Sequence, residues 1–295
     1  MYHGVRSGSH RINGRHIAAE QFEKQLQYFQ RTFSIVSLKA ICDMKIRGVV
    51  PEKHTIALTF DDGFMNNLTV ALPLLEKYGI PATFFICTAA ISDPTYRHPT
   101  DRIDLIRVLS TRAAINIGGE EFFRKGHQMV NARNEHAYHH LNHLTFDQWL
   151  HVNKTMAGQL NDHAIAPYSE VYALMNNQHV RRLNRSNVAT LGSHSHYHIG
   201  YPSLSSAEAT VQLKESKSIL GIYGKDVDAI AFPFGYYDGS VIAEARVQGY
   251  RYLIAGGHVD PPFDRDVYPR IGILDGAGLS YTMLMINNGF NRFGF

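Results

Sequence analysis

Two adjacent carboxylates could carry hydrolytic chemistry in this chain. They are Asp61 and Asp62, within the run Thr-Phe-Asp-Asp-Gly at 59–63. Neighbouring side chains at the end of a strand cannot both point the same way, so one can bind a cation while the other addresses a substrate. A nearby divalent charge would keep the second carboxylate ionised and able to accept a proton from water. Asp and Gly are also common where a strand ends in a turn, which leaves a purely structural alternative.

A histidine-rich run offers partners for such a cation. It reads His-Ser-His-Tyr-His at 194–198, so His194 and His198 could converge on one metal as neutral imidazoles. With 17 histidines in 295 residues, about one pair at this spacing is expected by chance. Two other pairs share the spacing, His136 with His140 and His139 with His143. Those pairs lie in a polar stretch and are interpreted as a solvated helix face, whereas the run at 194–198 follows a predicted buried strand.

One carboxylate and two imidazoles make a site with three protein ligands and open positions for water. Such a site is typical of a catalytic rather than a structural zinc-like centre. A metal bound there would lower the pKa of its water and polarise an amide carbonyl.

The segments that position these residues alternate between strands and helices. Residues 55–60 form a short apolar run that predicts a buried strand, followed by helical spacing over 66–78 and a second strand over 82–87. Such a β-α-β unit makes a parallel sheet. Further strands are predicted at 188–191, 229–232 and 250–254. The alternation favours an α/β barrel or a doubly wound sheet, and both place their chemistry at the carboxyl ends of strands.

Composition excludes several classes of protein. The net charge is +3 and no Lys/Arg run is present, so a nucleic-acid partner is not expected. Cys42 and Cys87 lie far apart, which argues against a disulfide framework or a cysteine-rich zinc site. No apolar run is long enough for a transmembrane helix, and no signal peptide is visible. We therefore expect a cytoplasmic protein, or a secreted or periplasmic one if a leader precedes this sequence. A single domain over 1–295 is expected, with a mainly helical insertion at about 95–185.

Three motifs, in this order, resemble the first three motifs of the NodB-type polysaccharide deacetylases, which form carbohydrate esterase family four. They are the runs at 59–63 and 194–198 and the run Phe-Pro-Phe-Gly at 232–235. Three further runs resemble bacterial deacetylases from polysaccharide gene clusters: Met-Tyr-His-Gly-Val at 1–5, Pro-Ala-Thr-Phe-Phe-Ile at 81–86 and Tyr-Pro-Arg-Ile-Gly-Ile at 268–273. The resemblance covers about 1–90 and 186–275. It implies an α/β fold, a distorted (β/α)7 barrel of the NodB-homology type.

The resemblance also implies roles for individual residues. Asp61 would be the general base that activates a metal-bound water, and Ser195 would brace the histidine loop. Phe234 would lend its backbone N–H to an oxyanion hole. The metal ligands would be Asp62, His194 and His198. Zinc suits this ligand set, and Co²⁺, Ni²⁺ and Mn²⁺ are alternatives.

Two positions depart from the family pattern. The third motif usually begins with an Arg that orients the base, but Ala231 stands there, and Arg270 could reach the same carboxylate from another strand. The fifth motif usually supplies a His as general acid, but the matching run at 284–288 has none. Candidates for the proton donor are His3, at the end of a predicted first strand, and His258.

The predicted function is a metal-dependent hydrolase that removes an N-acetyl group from a sugar or glycan precursor. Alternatives are removal of another acyl group, such as O-acetyl or N-formyl, or a catalytically lapsed carbohydrate-binding protein. Retention of both Asp61 and Asp62 argues against the binding protein, which needs no base beside a metal ligand. An N-acetylated saccharide is the expected partner, and four aromatic residues could stack against it: Tyr236, Tyr237, Tyr201 and Trp149.

Overall fold

Short parallel strands and surrounding helices make up most of the structure. The structure, a computed structural model, describes residues 1–51, 54–223, 227–256, 267–276 and 278–293, with the backbone alone for 287–293. The strands are β1 (Gly4–Arg6), β2 (His16–Ala18), β3 (Ser34–Ile35), β4 (Thr55–Ile56), β5 (Leu58–Phe60), β6 (Ala82–Ile86), β7 (Ala114–Ile117), β8 (Glu120–Lys125), β9 (Gln128–Val130), β10 (Ala189–Ser193), β11 (Ala229–Ala231), β12 (Tyr252–Ile254) and β13 (Val267–Tyr268). The α-helices are α1 (Ala19–Thr32), α2 (Leu38–Ile46), α3 (Leu72–Tyr78), α4 (Ala89–Ser92), α5 (Pro99–Leu109), α6 (Ala137–Leu141), α7 (Phe146–Ala157), α8 (Asp162–Ile165), α9 (Ser169–Tyr172), α10 (Asn177–Asn184), α11 (Ser206–Gly221), α12 (Gly239–Val247) and α13 (Leu279–Phe293).

The main sheet curls into an incomplete barrel. Its order is β13-β12-β11-β10-β6-β5, and every neighbouring pair is parallel. Beyond β5, Tyr2 forms a parallel bridge to Phe60. On the far side of the sheet, the amide of Ile273 donates to the carbonyl of Met1 at 2.9 Å. The first two residues thus lie between the two ends of the sheet and occupy the place of a seventh strand.

Local signals in the sequence explain where the outer helices begin and end. The helix α3 ends at Gly79, whose φ of 62° is easily adopted by a residue without Cβ. A capping box of Ser205 and Glu208 begins α11. Asp238 accepts hydrogen bonds from the amides of Ser240 and Val241 and begins α12. All three boundaries thus coincide with residues whose chemistry favours a helix end. One strand prediction was wrong, because 55–60 breaks at residue 57 and its first half pairs with β3 instead of the main sheet.

Aromatic stacking fills the centre of the barrel. The ring of Phe60 stacks on that of Phe84 at 4.9 Å and on that of Tyr2 at 5.4 Å, and all three side chains are buried. Stacked rings remove large apolar areas from water, which is the main favourable term in folding. The strand ends that carry Asp61 and His194 are therefore held by a packed core.

The insertion at 95–185 has a hydrophobic core of its own, which includes Trp149, Phe122 and Leu141. Helices α5 to α10 dominate it, as expected, but β7, β8 and β9 form an antiparallel sheet that the sequence analysis missed. Gly118 and Gly119 connect the first two of these strands with φ of 60° and 92°. Two successive residues at positive φ are typical of a type I′ hairpin turn.

Two expectations about the chain as a whole can be compared with the structure. Cys42 and Cys87 are both free and buried, so the two thiols are not joined in a disulfide. Within the described ranges, no helix combines the length and apolar character needed to cross a membrane. That 1–295 forms a single domain stays a prediction.

Candidate active site

The predicted site residues lie in two turns at the carboxyl ends of two strands of the main sheet, β5 and β10, which are separated by β6. Asp61 and Asp62 follow β5, and His194 follows β10, which lies two places away in the sheet. Asp62 and His198 adopt positive φ, 73° and 52°, a backbone conformation that side-chain-bearing residues rarely take. Such local strain clusters at functional sites and persists when the surrounding structure enforces it.

Asp62, His194 and His198 converge on one point. The Oδ1 atom of Asp62 lies 3.3 Å from Nε2 of His194 and 3.1 Å from Nε2 of His198. One ligand atom from each residue lies within 4.8 Å of the others, and all three residues are buried. Two ligand atoms bonded to one ion at about 2.1 Å are themselves about 3.0–3.4 Å apart. The spacing therefore fits a shared cation.

The hydrogen bonds around this cluster leave the ligand atoms free. Nδ1 of His194 lies 2.8 Å from the carbonyl of Ala231, which can only accept, so this nitrogen carries the proton and Nε2 keeps its lone pair. No described residue donates a well-aligned hydrogen bond to Oδ1 of Asp62. A buried carboxylate oxygen without a donor is costly unless a cation binds it. The donor set thus fits a divalent metal.

Electrostatics in the cluster support the same conclusion. Burial opposes ionisation of Asp62, but the imidazoles of His198 and His194 outweigh burial and hold its pKa well below the usual value. Burial lowers the pKa of His198. Burial also opposes protonation of His194, yet the carboxylates of Asp61 and Asp62 raise its pKa. A cation bound at Nε2 would compete with the proton that His194 otherwise takes up.

Arg270 forms a bidentate ion pair with Asp61. Nη1 and Nη2 of Arg270 donate to Oδ1 and Oδ2 of Asp61, each at 2.7 Å. Both residues are buried, and the arginine also donates to the carbonyl of Ala255 and to Oγ1 of Thr59. Burial raises the pKa of Asp61, but Arg270 and then His194 outweigh it, so the pKa lies below its usual value. The structure thus places Arg270 where the sequence analysis expected it to reach, although Ala231 occupies the usual motif position.

A cavity of about 370 Å³ opens over Asp61, Asp62 and the two metal-binding histidines. Thr100 and Tyr138 of the insertion also line this cavity. Leu274, Tyr281 and Met285 line another part of the rim, and the first two of these are more than half exposed. The cavity therefore has a floor of strand ends and a rim made by segments outside the main sheet.

His3 and Phe234 also line this cavity. His3 directly follows Tyr2, whose parallel bridge to Phe60 takes the place of a first short strand, and β1 begins at the next residue, Gly4. Burial lowers the pKa of His3 to about 4, and no described residue bonds to its Nδ1. The backbone of Phe234 has φ of 58°, and its ring lies 4.7 Å from that of His198. The other proposed proton donor, His258, lies outside the described residues.

A comparison with known families identifies the chain's relatives. A family model described as polysaccharide deacetylase matches residues 48–253, more than two thirds of the chain. The chain belongs to the polysaccharide deacetylase family. The resemblance to NodB-type enzymes of carbohydrate esterase family four is thereby confirmed.

One curated relative in this family is the poly-β-1,6-N-acetyl-D-glucosamine N-deacetylase of Staphylococcus aureus strain MRSA252. It is 29% identical over 126 residues, which are 42% of each chain. This chain spans less than half the length of the curated relatives it matches first.

Solved structures of polysaccharide deacetylases share the fold. The deacetylase PplD of Streptococcus pyogenes, solved with acetate, is 18% identical with a TM-score of 0.58, and the match covers 96% of this chain and 95% of that one. The de-N-acetylase of Aggregatibacter actinomycetemcomitans is 16% identical with a TM-score of 0.58, over 96% and 97% of the two chains. IcaB of Ammonifex degensii is 15% identical with a TM-score of 0.59, over 97% and 93%. The predicted distorted (β/α)7 barrel is thus confirmed.

Two expected sugar-stacking residues belong to the core of this family member. Tyr201 packs against Phe232, and Trp149 lies inside the insertion, with 1% and 2% of their surfaces exposed. Their assignment to a ligand was wrong. Tyr236 is 45% exposed and the ring of Tyr237 packs at a tilt against that of Phe232, but neither is among the described residues that line the cavity.

Sequence reasoning also missed residues that touch the centre. Nη1 of Arg15 donates to Oδ2 of Asp62 at 3.3 Å. Nε2 of His98 lies 3.2 Å from the backbone carbonyl of Asp62, and the ring of His98 lies 4.8 Å from that of His198. No spacing or motif marks either residue, because both lie in loops that reach the centre only through the fold. Ser195 does brace its loop, through a hydrogen bond to Gln212 at 3.3 Å.

Proposed function

We propose that this chain removes acetyl groups from N-acetylated sugars of a saccharide chain, using a divalent metal. The observation that carries the proposal is the meeting, in one cavity, of the cluster Asp62–His194–His198 with an ionised Asp61. Membership of the polysaccharide deacetylase family supports it. So does the N-deacetylase activity named for the relative from S. aureus.

The proposed metal ligands are Nε2 of His194, Nε2 of His198 and Oδ1 of Asp62. Two imidazoles and a carboxylate suit zinc, and cobalt, nickel or manganese also fit such a donor set. A cation bound there supplies a Lewis acid that polarises the acetyl carbonyl and acidifies water.

Asp61 is the proposed general base. The water oxygen bonds to the acetyl carbonyl carbon, the C–N bond breaks, and the products are acetate and a free amine. Asp61 accepts the proton that the attacking water loses. A carboxylate has about four acceptor sites, so the two bonds from Arg270 leave room for that water. Arg270 also keeps Asp61 ionised at neutral pH and fixes its orientation.

His3 is the proposed donor of the proton to the leaving amine. With a pKa of about 4 it is neutral at pH 7, so it must gain a proton during turnover. Negative charge that develops on the carbonyl oxygen favours the imidazolium form. His3 can then receive the proton held by Asp61 and pass it to the nitrogen. The backbone N–H of Phe234 is proposed to stabilise the same developing charge.

The first test measures metal and product together. Metal analysis of the purified protein should find one tightly bound divalent ion, and acetate should be released from β-1,6-linked N-acetylglucosamine oligomers. A chelator should abolish release, and added Zn²⁺ should restore it. Substrates with O-acetyl or N-formyl groups define the acyl preference. Affinity for glycans without product from any acylated sugar would show a carbohydrate-binding protein instead.

The second test separates the base from the metal ligands. Asp61→Asn should keep the metal and lower kcat by about 10²–10⁴-fold, the range for removal of a general base. Asp147→Asn, an exposed residue in the first turn of α7, is the matched control and should turn over normally. Normal turnover by Asp61→Asn would remove Asp61 as the base.

The location of the protein in the cytoplasm stays a prediction.

A further inference from the structure

We infer that Arg15 is a positioning residue for Asp62 and that the insertion at 95–185 provides its anchor. The inference rests on the proposed function, because it takes Asp62 to be a metal ligand.

The two carboxylate oxygens of Asp62 face different partners. Oδ1 faces Nε2 of His194 and of His198, at 3.3 and 3.1 Å. Oδ2 accepts from Nη1 of Arg15 at 3.3 Å. A carboxylate held at one oxygen cannot rotate freely about χ2, so Arg15 reserves the other oxygen for the cation. Partners behind a ligand orient it in this way in many metal sites.

Arg15 is itself fixed from several sides. It lies in the loop between β1 and β2, where its backbone carbonyl accepts from the amide of Gly4 at 3.3 Å, next to His3. Its guanidinium lies 5.8 Å from the ring of Phe64, and the side chain is only 16% exposed. Burial alone would lower the pKa of Arg15, but the surrounding carboxylates outweigh it, so the guanidinium stays charged.

The insertion supplies the carboxylates that hold this guanidinium. Nη2 of Arg15 donates to Oδ1 of Asp101 and lies 3.7 Å from Oδ2 of Asp104. Both acids belong to α5 and are buried, at 0% and 4% exposure. Asp104 is held further by Nδ2 of Asn13 at 2.8 Å and by the hydroxyl of Tyr138. Buried carboxylates need a counter-charge. The planar guanidinium of Arg15 supplies one to Asp101 and Asp62, while Asp104 also pairs with Arg107, whose Nε lies 3.8 Å from its Oδ1.

This arrangement gives the insertion a role in the metal centre. The barrel provides the metal ligands, but the orientation of one ligand depends on a side chain that α5 holds in place. Displacing α5 would therefore alter metal binding although none of its residues is a proposed ligand.

The experiment compares metal affinity among folded variants. Zn²⁺ dissociation constants are measured by chelator competition, and Co²⁺-substituted protein is examined by its visible absorption spectrum. Arg15→Gln should weaken Zn²⁺ binding by about 10–100-fold and change the Co²⁺ spectrum. Arg15→Lys keeps the charge but not the planar fork, so it should restore only part of the affinity. Arg102→Gln is the matched control. Arg102 is a buried arginine of α5, the helix that contains Asp101 and Asp104, but it donates to Asn153 and Thr95.

The outcomes separate this inference from the proposed function. Wild-type affinity and an unchanged Co²⁺ spectrum in folded Arg15→Gln overturn the positioning role, while Asp62→Ala still loses the metal. If Asp62→Ala binds Zn²⁺ as wild type does, the proposed function itself fails. If Arg15→Gln does not fold, Zn²⁺ affinity is measured for Arg15→Lys and Asp101→Asn instead. Weakened Zn²⁺ binding in both supports the role, and unchanged affinity in either overturns it.

Discussion

Two pairs of histidines share one sequence spacing but lie in opposite surroundings. His194 and His198 are buried at a strand end, with Oδ1 of Asp62 between their Nε2 atoms. His139 lies in α6 and His143 follows it; both are exposed, and their Nε2 atoms lie 3.2 Å apart. Within the described part of the chain, the group of three that could hold a metal contains the first pair and not the second.

The comparison shows what turns a histidine pair into a candidate metal centre. Spacing brings two imidazoles together in both places. At the first pair, the fold also adds a carboxylate, fixes the tautomer of His194 through the carbonyl of Ala231, and excludes water. Burial strengthens each of these interactions, because a lower dielectric screens charge less.

Replacing His198 should have the largest effect on metal binding. His198→Ala removes a proposed ligand and should weaken Zn²⁺ binding by at least about 100-fold, since even partners behind a ligand contribute about 10–100-fold. Turnover should be lost with the metal. Chelator competition measures the affinity, and acetate release measures the activity. A variant that binds Zn²⁺ normally would show that His198 is not a ligand.

Removing the partner of the base should have the next largest effect. Arg270→Gln leaves Asp61 buried without its counter-charge, which should cost about 3–5 kcal/mol of stability. Because Arg270 lowers the pKa of Asp61, its loss raises that pKa, and the acid limb of kcat/KM should move to higher pH. Urea unfolding and a pH–rate profile measure the two effects. An acid limb that stays in place would argue that another group is the base.

Protonation of the buried His98 should lower the stability of the protein by a moderate amount. Burial lowers the pKa of His98 to about 3, from 6.5 in an unfolded chain. Between these values the unfolded chain binds the additional proton, so stability falls as the pH drops from 6.5 toward 3. The slope is up to about 1.4 kcal/mol per pH unit for each such histidine. In chelator-treated protein, His98→Gln should show a shallower decline by urea unfolding, and an unchanged slope would contradict the assignment.

Replacing the exposed pair, His139 and His143, should have the smallest effect on metal content, turnover and stability. The double variant His139→Ala/His143→Ala should keep its metal content and turnover, and its stability should change by about 0.5 kcal/mol or less. Metal analysis and thermal unfolding check this expectation. A lost metal equivalent would mean that this pair also binds an ion.

The parts of the site that could be predicted are those that strand ends bring together. Carboxyl ends of parallel strands meet at one edge, so Asp62 and His194 could be placed near each other from strand predictions alone. Arg15 could not, because it follows no regular element and its partners Asp101 and Asp104 lie far along the chain. The hairpin at 114–125 was missed although Gly118-Gly119 is a readable turn signal.

The mistaken aromatic assignments have a similar cause. Tyr201 follows the histidine run closely, but its ring turns into the core and packs on Phe232. Sequence proximity to a motif says little about the direction of a side chain, which depends on packing around it.

The division of the cavity between floor and rim has a consequence for evolution. The floor comes from packed strand ends, where few substitutions are tolerated. Leu274, Tyr281 and Met285 line the cavity from outside the main sheet, so the proposed function predicts that mutations there change glycan preference while hydrolysis survives. A laboratory selection for new sugars should therefore accumulate its first changes at these three positions.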